Sequence, residues 1–286
     1  MKKPKLSRRE FLKLGAATLL GGAAAGAGGY TYITRLEPGW LEITHLELTL
    51  PRLPPIFDGY RLLQISDIHM DPWMTQSRLA NIVNTVNDQN PDAIAITGDF
   101  VSDEAETKFD PMVSELNRLQ PHDVTTAVLG NHDHWTNPAV VREIIDHSGI
   151  INVSNTFHTL NRGAAELHLA GVDDIWEKQD RLDLVLQSIP KTGCAILLAH
   201  EPDFADISSP TGRFDLQISG HSHGGQVIVP FVGPIVVPNY AHKYPLGLYQ
   251  VGDMLQYTNR GVGMIRPRIR FNCRPEITVF TLRTPA

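Results

Sequence analysis

The most constraining feature of this 286-residue sequence is an alternation between short apolar runs and longer amphipathic segments, repeated three times. Each apolar run is followed by a polar residue of the kind that binds metals or sits in turns: Asp67, Asp99 and Asn131. The amphipathic segments carry apolar side chains at the spacing of one helical face. The predicted elements are strands at residues 62–65, 93–96 and 124–129, and helices at residues 77–87, 112–119 and 138–145.

This strand–helix order predicts a parallel sheet with right-handed crossovers. The loops after parallel strands collect at the carboxyl edge of the sheet, where α/β proteins place their sites. We therefore expect Asp67, Asp99 and Asn131 to converge there. Taken one at a time, Asp99 and Asn131 would be ordinary turn residues. Only their expected convergence indicates a functional site.

The later half of the chain has many predicted strands and few helices. The strands are expected at residues 167–172, 195–199, 216–219, 226–229 and 277–282. This pattern predicts a second, mixed sheet packed on the first, with helices outside both. The expected fold class is therefore α/β, a four-layer αββα sandwich with two mixed central sheets. Residues 37–286 should form one domain.

Four further histidines could join the polar residues at the strand ends. His69 lies two positions after Asp67, His200 follows a predicted strand, and His221 and His223 repeat the two-residue spacing between glycines. The candidate ligands are Asp67, His69, Asp99, Asn131, His200, His221 and His223. Carboxylate, imidazole and amide groups without thiolate suit Mn, Fe, Zn or similar divalent cations. Seven ligands are too many for one ion but suit two ions that share a bridge.

In this order the motifs D-x-H, G-D, G-N-H-D, H and G-H-S-H resemble those of the calcineurin-like metallophosphoesterases. The resemblance implies that Asp67, His69 and His223 hold one ion and that Asn131, His200 and His221 hold the other. It also implies that Asp99 bridges them, that His132 protonates the leaving group or stabilises the phosphoryl oxygens, and that Asp133 orients His132. His134 and Trp135 are expected to be surrounding or wall residues.

The implied activity is phosphoester hydrolysis, with attack by a hydroxide that bridges two divalent ions. A phosphodiester or pyrophosphate of the cell envelope, including a lipid-linked one, is the expected substrate. UDP-2,3-diacylglucosamine is an alternative, although it is made on the cytoplasmic side of the membrane. A non-catalytic binding module with the same fold is a further alternative, but such a module should have lost ligands. The net charge of −6 disfavours nucleic acid as a partner.

Residues 1–36 are interpreted as a targeting signal rather than as part of the domain. Residues 7–13 read SRREFLK and resemble the twin-arginine export signal at every position. An uncharged run over residues 14–34 follows. It could be cleaved after the A-x-A sequence at residues 25–27, or it could remain as a membrane anchor. The expected partners are the twin-arginine translocation machinery and the membrane surface, and the expected location is the periplasm or the outer face of the cytoplasmic membrane.

Two later stretches bear on the substrate. Residues 227–237 read VIVPFVGPIVV and form either a loop that covers the core or a lipid-facing lip beside the metals. Arg266, Arg268 and Arg270 alternate with other residues, so in an extended segment they would share one face. That face is either solvated or in contact with an anionic group. Spacing cannot decide whether Cys194 and Cys273 pair.

Overall fold

The computed structural model describes residues 8–285, and within them the chain forms seven α-helices. They are α1 Arg8–Thr31, α2 Gln76–Asp88, α3 Ala105–Leu116, α4 Asn131–Thr136, α5 Pro138–His147, α6 Leu182–Ser188 and α7 Ala205–Ser208. The short helix α4 was not predicted, because its sequence resembles a polar turn. The start of α5 is as the sequence indicates: the side chain of Asn137 accepts from the Val140 amide and Pro138 opens the helix.

Fourteen strands lie in the same described residues. They are β1 Glu42–Thr49, β2 Arg61–Ile65, β3 Ala93–Thr97, β4 Val124–Val128, β5 Ile151–Asn152, β6 Thr156–Arg162, β7 Ala165–Gly171, β8 Cys194–Leu198, β9 Leu216–Ser219, β10 Ile228–Val229, β11 Gly233–Pro234, β12 Gly247–Val251, β13 Met254–Thr258 and β14 Glu276–Arg283.

The first sheet has the order β1-β14-β2-β3-β4-β5. Strands β2, β3 and β4 are mutually parallel, as predicted, and the short strand β5, which was not predicted, is parallel to β4. Strand β14 was expected in the second sheet, and that expectation is wrong. It pairs antiparallel with β2 and parallel with β1, so this sheet is mixed. Local periodicity cannot reveal such a pairing, because it joins segments more than 200 residues apart.

The second sheet has the order β12-β13-β9-β8-β7-β6. Strands β13, β9, β8 and β7 are parallel, and antiparallel strands close both edges. The strand predicted at residues 226–229 shrinks to β10, which pairs only with β11 in a separate hairpin. Of the two alternatives for residues 227–237, the loop that covers the core is wrong, since Phe231, Val232, Ile235 and Val236 are exposed.

Alternation along the strands builds three apolar layers, and this confirms the αββα sandwich. On β3, Ile94 and Ile96 face the core beneath α2, α3 and α5, while Ala93 and Ala95 face the second sheet. A third apolar cluster lies between the second sheet and the helices α6 and α7. Each fully buried aliphatic side chain of this kind contributes about 1.5–3 kcal/mol to the free energy of folding.

Both cysteines, Cys194 and Cys273, are buried and unpaired.

The three arginines of the late segment do not share a face. Arg270 is fully buried, and its guanidinium donates to the carbonyls of Arg260, Gly261, Gly263 and Cys273. The other two sit outside the core. Arg268 pairs with Asp71, and Arg266 is exposed.

Helix α1 continues as a turn of π-helix at Tyr32–Leu36, and residues 21–31 are exposed on every side. No helix within residues 8–285 has the length and apolarity needed to cross a bilayer. Lys2, Lys3, Lys5 and Ser7, which belong to the predicted export signal, lie outside the described residues.

Candidate metal centre

Five parallel strands from the two sheets deliver the predicted ligands to one place. Strands β2, β3 and β4 end just before Asp67, Asp99 and Asn131, while β8 and β9 of the second sheet end just before His200 and His221. The sheets are joined at this edge by Gln64 of β2, whose side-chain amide donates to the carbonyl of Ser219 on β9 at 2.9 Å. All seven predicted ligands are buried.

One group of ligand atoms comprises Asp67, His69 and His223, which lie within 4.8 Å of one another. The Nε2 atoms of His69 and His223 face each other at 3.1 Å, and His223 Nε2 is 3.4 Å from Asp67 Oδ1. Two neutral imidazole lone pairs and a carboxylate oxygen at such distances would repel one another without a proton or a cation between them. The donor set therefore fits a divalent cation.

A second group comprises Asp99, His200 and His221, also within 4.8 Å of one another. Asp99 Oδ2 lies 3.2 Å from His200 Nε2 and 3.3 Å from His69 Nε2, so one oxygen reaches both groups. Asn131 Oδ1 is buried and has no hydrogen-bond partner. Such an orphaned acceptor is costly unless it is satisfied, and a cation would satisfy it.

Three of the four ligand imidazoles are fixed through their other nitrogen, whereas His223 Nδ1 is buried and has no hydrogen-bond partner among residues 8–285. His69 Nδ1 lies 3.1 Å from Ser102 Oγ, His200 Nδ1 lies 2.6 Å from the Thr97 carbonyl, and His221 Nε2 lies 2.9 Å from the Asn239 carbonyl. A partner of this kind selects the tautomer and leaves the remaining nitrogen free to ligate. The His200 contact also ties the second sheet to β3.

The backbone at the ligands is strained. Asp67, His69, Asp99, His221 and His223 all have φ between 50° and 68°. Non-glycine residues adopt this left-handed region only at a cost, and such residues cluster at functional sites. The positive φ values aim five side chains into one small volume.

Burial and mutual charge determine the pKa values of the cluster. Burial lowers the pKa of His221 to about 3 and that of His223 well below its usual value. Burial also opposes the charged form of His200, but the charge of Asp99 raises the pKa of His200 well above its usual value. Without a cation, the His200 proton balances Asp99. A divalent cation would replace that proton, since ligand imidazoles bind in the neutral form.

Asp133 does not orient His132, and the prediction of that contact is wrong. Its carboxylate instead accepts hydrogen bonds from four backbone amides, those of Asp99, Phe100, Val101 and Gly130, at 2.8–3.3 Å. Burial, followed by the charge of Asp99, raises the pKa of Asp133 to about 7. Asp133 therefore shapes the loop that carries Asp99, and a cation bound to Asp99 would offset the repulsion between the two carboxylates.

His132 lies at the open side of the cluster and was not predicted as a ligand, although it forms a third group of possible ligand atoms with His69 and Asp99, within 4.8 Å of one another. Its ring packs edge-on against His69 at 4.6 Å between centroids and against Trp135 at 4.7 Å. Burial lowers the pKa of His132, which favours a neutral ring. His134 points away and pairs with Asp173 at 2.8 Å.

Trp176, which lies on the loop after β7, was not predicted as a residue of the site. Its ring packs against Trp135 at 5.4 Å, against His221 at 5.5 Å and against Tyr240 at 6.1 Å. Trp135 and Trp176 line one wall of the metal pocket. The position of Trp176 after a predicted strand was the one available signal, and the sequence did not show that this loop reaches across to α4.

Comparison with known proteins gives the following relationships. Residues 60–225 match the calcineurin-like phosphoesterase family. The uncharacterized metallophosphoesterase YkuE of Bacillus subtilis is 35% identical over 98% of this chain and 99% of its own length. The phosphodiesterase YaeI of Escherichia coli is 30% identical over 97% and 99%. The sulfate thiohydrolase SoxB of Thermus thermophilus shares the fold, with a TM-score of 0.50 at 12% identity over 81% of this chain and 57% of that one.

Proposed function

Because the chain belongs to the calcineurin-like phosphoesterase family and is a metal-dependent hydrolase of phosphoric esters, we propose that it cleaves phosphodiesters or pyrophosphates with two divalent cations. Asp67, His69 and His223 would hold one cation, Asn131, His200 and His221 would hold the other, and Asp99 would reach both. The donor set suits Mn, Fe, Zn or a similar pair.

The position of Asp99 carries the proposal. Its Oδ2 atom is almost equally distant from His69 Nε2 and His200 Nε2, at 3.3 and 3.2 Å, as a bridging ligand requires. Two divalent cations bound there supply a water molecule of lowered pKa as the nucleophile and neutralise charge on the phosphoryl oxygens. Asn131 ligates without adding negative charge, so the site repels an anionic phosphate less than a third carboxylate would.

His132 acts on the leaving group. Its ring is neutral at pH 7 before substrate arrives, since burial lowers its pKa. A bound phosphate anion favours the protonated ring, which can then donate to the leaving oxygen or to a phosphoryl oxygen. Asp133 supports this chemistry indirectly, by holding the loop of Asp99 in place.

The proposed substrate is an ester of the cell envelope, and a lipid-linked ester is favoured within that class. The name of YaeI as a phosphodiesterase supports a diester. Exposed apolar side chains next to the metal pocket support a lipid-linked one. UDP-2,3-diacylglucosamine pyrophosphate cleavage is the second candidate, and it fits only if the domain meets the cytoplasmic leaflet.

A metal-stripped sample of the protein tests the reaction. Added Mn²⁺ should restore hydrolysis of bis(p-nitrophenyl) phosphate, and Asp99→Ala should abolish it. The matched control is Asp110→Ala, because Asp110 is an exposed carboxylate on α3. Stoichiometric metal binding without turnover of diester, monoester or pyrophosphate would instead identify a non-catalytic binding module.

We also propose that residues 1–36 direct the domain out of the cytoplasm through the twin-arginine route. A reporter fused after Ala286 should be active outside the cytoplasm. Replacing both Arg8 and Arg9 by Lys keeps the charge and should trap the fusion inside. Cytoplasmic activity of the unaltered fusion would overturn the export proposal.

A further inference from the structure

A second cavity lies beside the metal pocket and belongs to no part of the proposed chemistry. It has a volume of about 440 Å³. Most of its lining is apolar, including Val227, Ile235, Val236, Pro238, Ile265 and Ile269. An apolar cavity with a few polar groups at its margin is the usual form of a small-molecule site.

The cavity and the metal pocket share two walls. Pro238 and Ile265 line both, and the metal pocket continues from them to Asp99, Asn131 and His132. Pro238 and Ile265 therefore stand between a molecule in the metal pocket and the apolar cavity. A substituent on the phosphorus of that molecule can pass over Ile265 into the cavity.

A polar cavity of about 470 Å³ lies on another side of Ile265. It is lined by His132, Arg266 and Arg268 among others, and Arg266 also borders the apolar cavity. Arg268 is paired with Asp71, whereas Arg266 has no carboxylate partner among residues 8–285. An unpaired guanidinium suits a phosphate or another anionic group. The metal pocket thus adjoins both the polar and the apolar cavity, and Ile265 lines all three.

The apolar cavity opens beneath the β10–β11 hairpin, which presents its apolar side chains to solvent. Phe231 at the turn is fully exposed, and Val232, Ile235 and Val236 are 76%, 59% and 72% exposed. A contiguous exposed apolar patch of this kind marks a site of interaction. The hairpin is held in place, because the Ile228 amide donates to the Phe271 carbonyl and the Ile235 amide to the Val227 carbonyl.

The hairpin also lies near the exit of the N-terminal helix. Phe271, which holds β10, directly follows Arg270, whose amide donates to the carbonyl of Ile33 at 2.9 Å. The uncharged segment of residues 14–34 therefore leaves the domain at the edge that carries the apolar hairpin. The uncharged segment and the exposed apolar side chains thus share one edge of the domain, next to the opening of the cavity.

We propose that the apolar cavity binds the hydrocarbon chain of an amphiphilic phosphodiester while its phosphorus lies at the metals and its polar substituent lies near Arg266. The proposal rests on the proposed function, because the same metal centre cleaves the ester. Membrane lipids are the main source of such chains in a cell envelope. Long-chain diesters are then better substrates than short-chain ones, since the chain leaves water on binding.

A homologous series of p-nitrophenyl alkyl phosphates, from methyl to dodecyl and below the micellar concentration, tests the cavity with one reacting group. We expect kcat/KM to rise by up to about fourfold for each methylene that enters the cavity, and then to level off. Ile235→Asp should reduce the dodecyl-to-methyl ratio at least about tenfold. The matched control is Val232→Asp, on the same hairpin but not lining the cavity, which should keep the ratio.

Equal kcat/KM along the series, with bis(p-nitrophenyl) phosphate still hydrolysed, would overturn the cavity assignment and leave the proposed function intact. If no ester is hydrolysed, calorimetric binding of dodecyl phosphate and butyl phosphate decides the assignment. Tighter binding of dodecyl phosphate that is lost in Ile235→Asp supports the cavity, and equal binding of both overturns it.

The source of the chain is decided by presenting the dodecyl ester in phosphatidylcholine vesicles. Faster hydrolysis from vesicles than from monomers at equal concentration supports the cavity and assigns a membrane lipid. Faster hydrolysis of monomers also supports the cavity and assigns a dispersed amphiphile.

Discussion

The carboxylate of Asp133 accepts a hydrogen bond from the backbone amide of Asp99 at 3.0 Å, and the carboxylate of Asp99 accepts one from the backbone amide of His132 at 2.9 Å. The two bonds run in opposite directions between the loop after β3 and the start of α4. They lock together the central carboxylate of the metal centre and the histidine beside it. Two consecutive residues, His132 and Asp133, thus reach Asp99 by different groups.

Asp133→Asn should weaken metal binding as well as turnover. The amide keeps one acceptor oxygen, but its N–H₂ group faces backbone amides that also donate. The loop that carries Asp99 therefore loses part of the hydrogen bonding that holds its conformation. Hydrogen bonds to a charged group are worth about 1.5–3 kcal/mol each, and we expect a loss of about 2 kcal/mol in the free energy of unfolding. Calorimetric Mn²⁺ titration and urea unfolding measure the two effects.

The same substitution separates two roles for Asp133. A residue that orients His132 would, when changed, lower kcat and leave the metal stoichiometry intact. Full metal occupancy in Asp133→Asn, together with a kcat equal to that of His132→Ala, would contradict the loop-shaping role.

Three alanine variants within α4 should differ in whether they lower kcat or metal content. His132→Ala should lower kcat by about 10²–10⁴-fold, the usual contribution of a general acid or base, with metal content unchanged. Asn131→Ala should lose metal, because it removes the buried Oδ1 acceptor. His134→Ala should be the mildest of the three for turnover, since its ring pairs with Asp173.

Elemental analysis of metal content beside bis(p-nitrophenyl) phosphate kinetics distinguishes the three variants. Loss of metal in His132→Ala would contradict the assignment of His132 to the substrate and would make it a ligand.

Gly220→Ala should disrupt the metal centre although it replaces no ligand. A Cβ at this position would overlap Ser66 Oγ and Asp67 Oδ2, so Asp67 would have to move. Overpacking of this kind costs about 1–3 kcal/mol, and Mn²⁺ affinity should fall at least about tenfold. The control is Gly39→Ala, where a Cβ meets nothing within 4 Å. Unchanged affinity in Gly220→Ala would mean that Asp67 is not a ligand.

The pair of His134 and Asp173 should make part of the stability depend on pH. Burial lowers the pKa of His134, but its hydrogen bond to Asp173 and the charges of Asp173 and Asp174 raise that pKa overall. Because the folded pKa lies above the unfolded value of about 6.5, the stabilisation is full below that pH and is lost as pH rises through the folded pKa.

Urea unfolding of metal-free protein should therefore show His134→Gln to be less stable than the unaltered protein by about 1 kcal/mol near pH 5.5, and by less at higher pH. The figure is modest because burial, which lowers the pKa of His134, opposes the hydrogen bond and the charges that raise it. In an Asp173→Asn background the His134→Gln effect should no longer decline as pH rises, because the hydrogen bond and most of the charge that oppose the lowering of the pKa by burial are removed. An effect that grows with pH would refute the pairing.

The elements around the site could be predicted because they depend on local patterns. The apolar spacing of α2 and the alternation along β3 reflect one face of a helix and two faces of a strand, which neighbouring residues alone determine. Candidate ligands could be found in the same way, since they follow strands that must end at one edge. The placement of β14 could not be predicted, because its pairing with β1 and β2 joins distant parts of the chain.

Asp133 shows the limit of reasoning from adjacency. Beside a histidine it looks like an orienting carboxylate, yet the turn of α4 points it at backbone amides of another loop. Trp176 is the opposite case: it lines the metal pocket although no residue beside it in the sequence was predicted to belong to a site.

By itself the sequence determined the type of fold, the set of ligand-type residues and the order in which strands deliver them, because periodicity and residue chemistry are local properties. Only the tertiary structure decided that Asp99 lies between the two ligand groups, that Arg270 is buried while Arg266 is exposed, and that an apolar cavity adjoins the candidate metal pocket. Those facts depend on distances between segments far apart in the chain. Such distances follow from how the two sheets pack, which no local pattern contains.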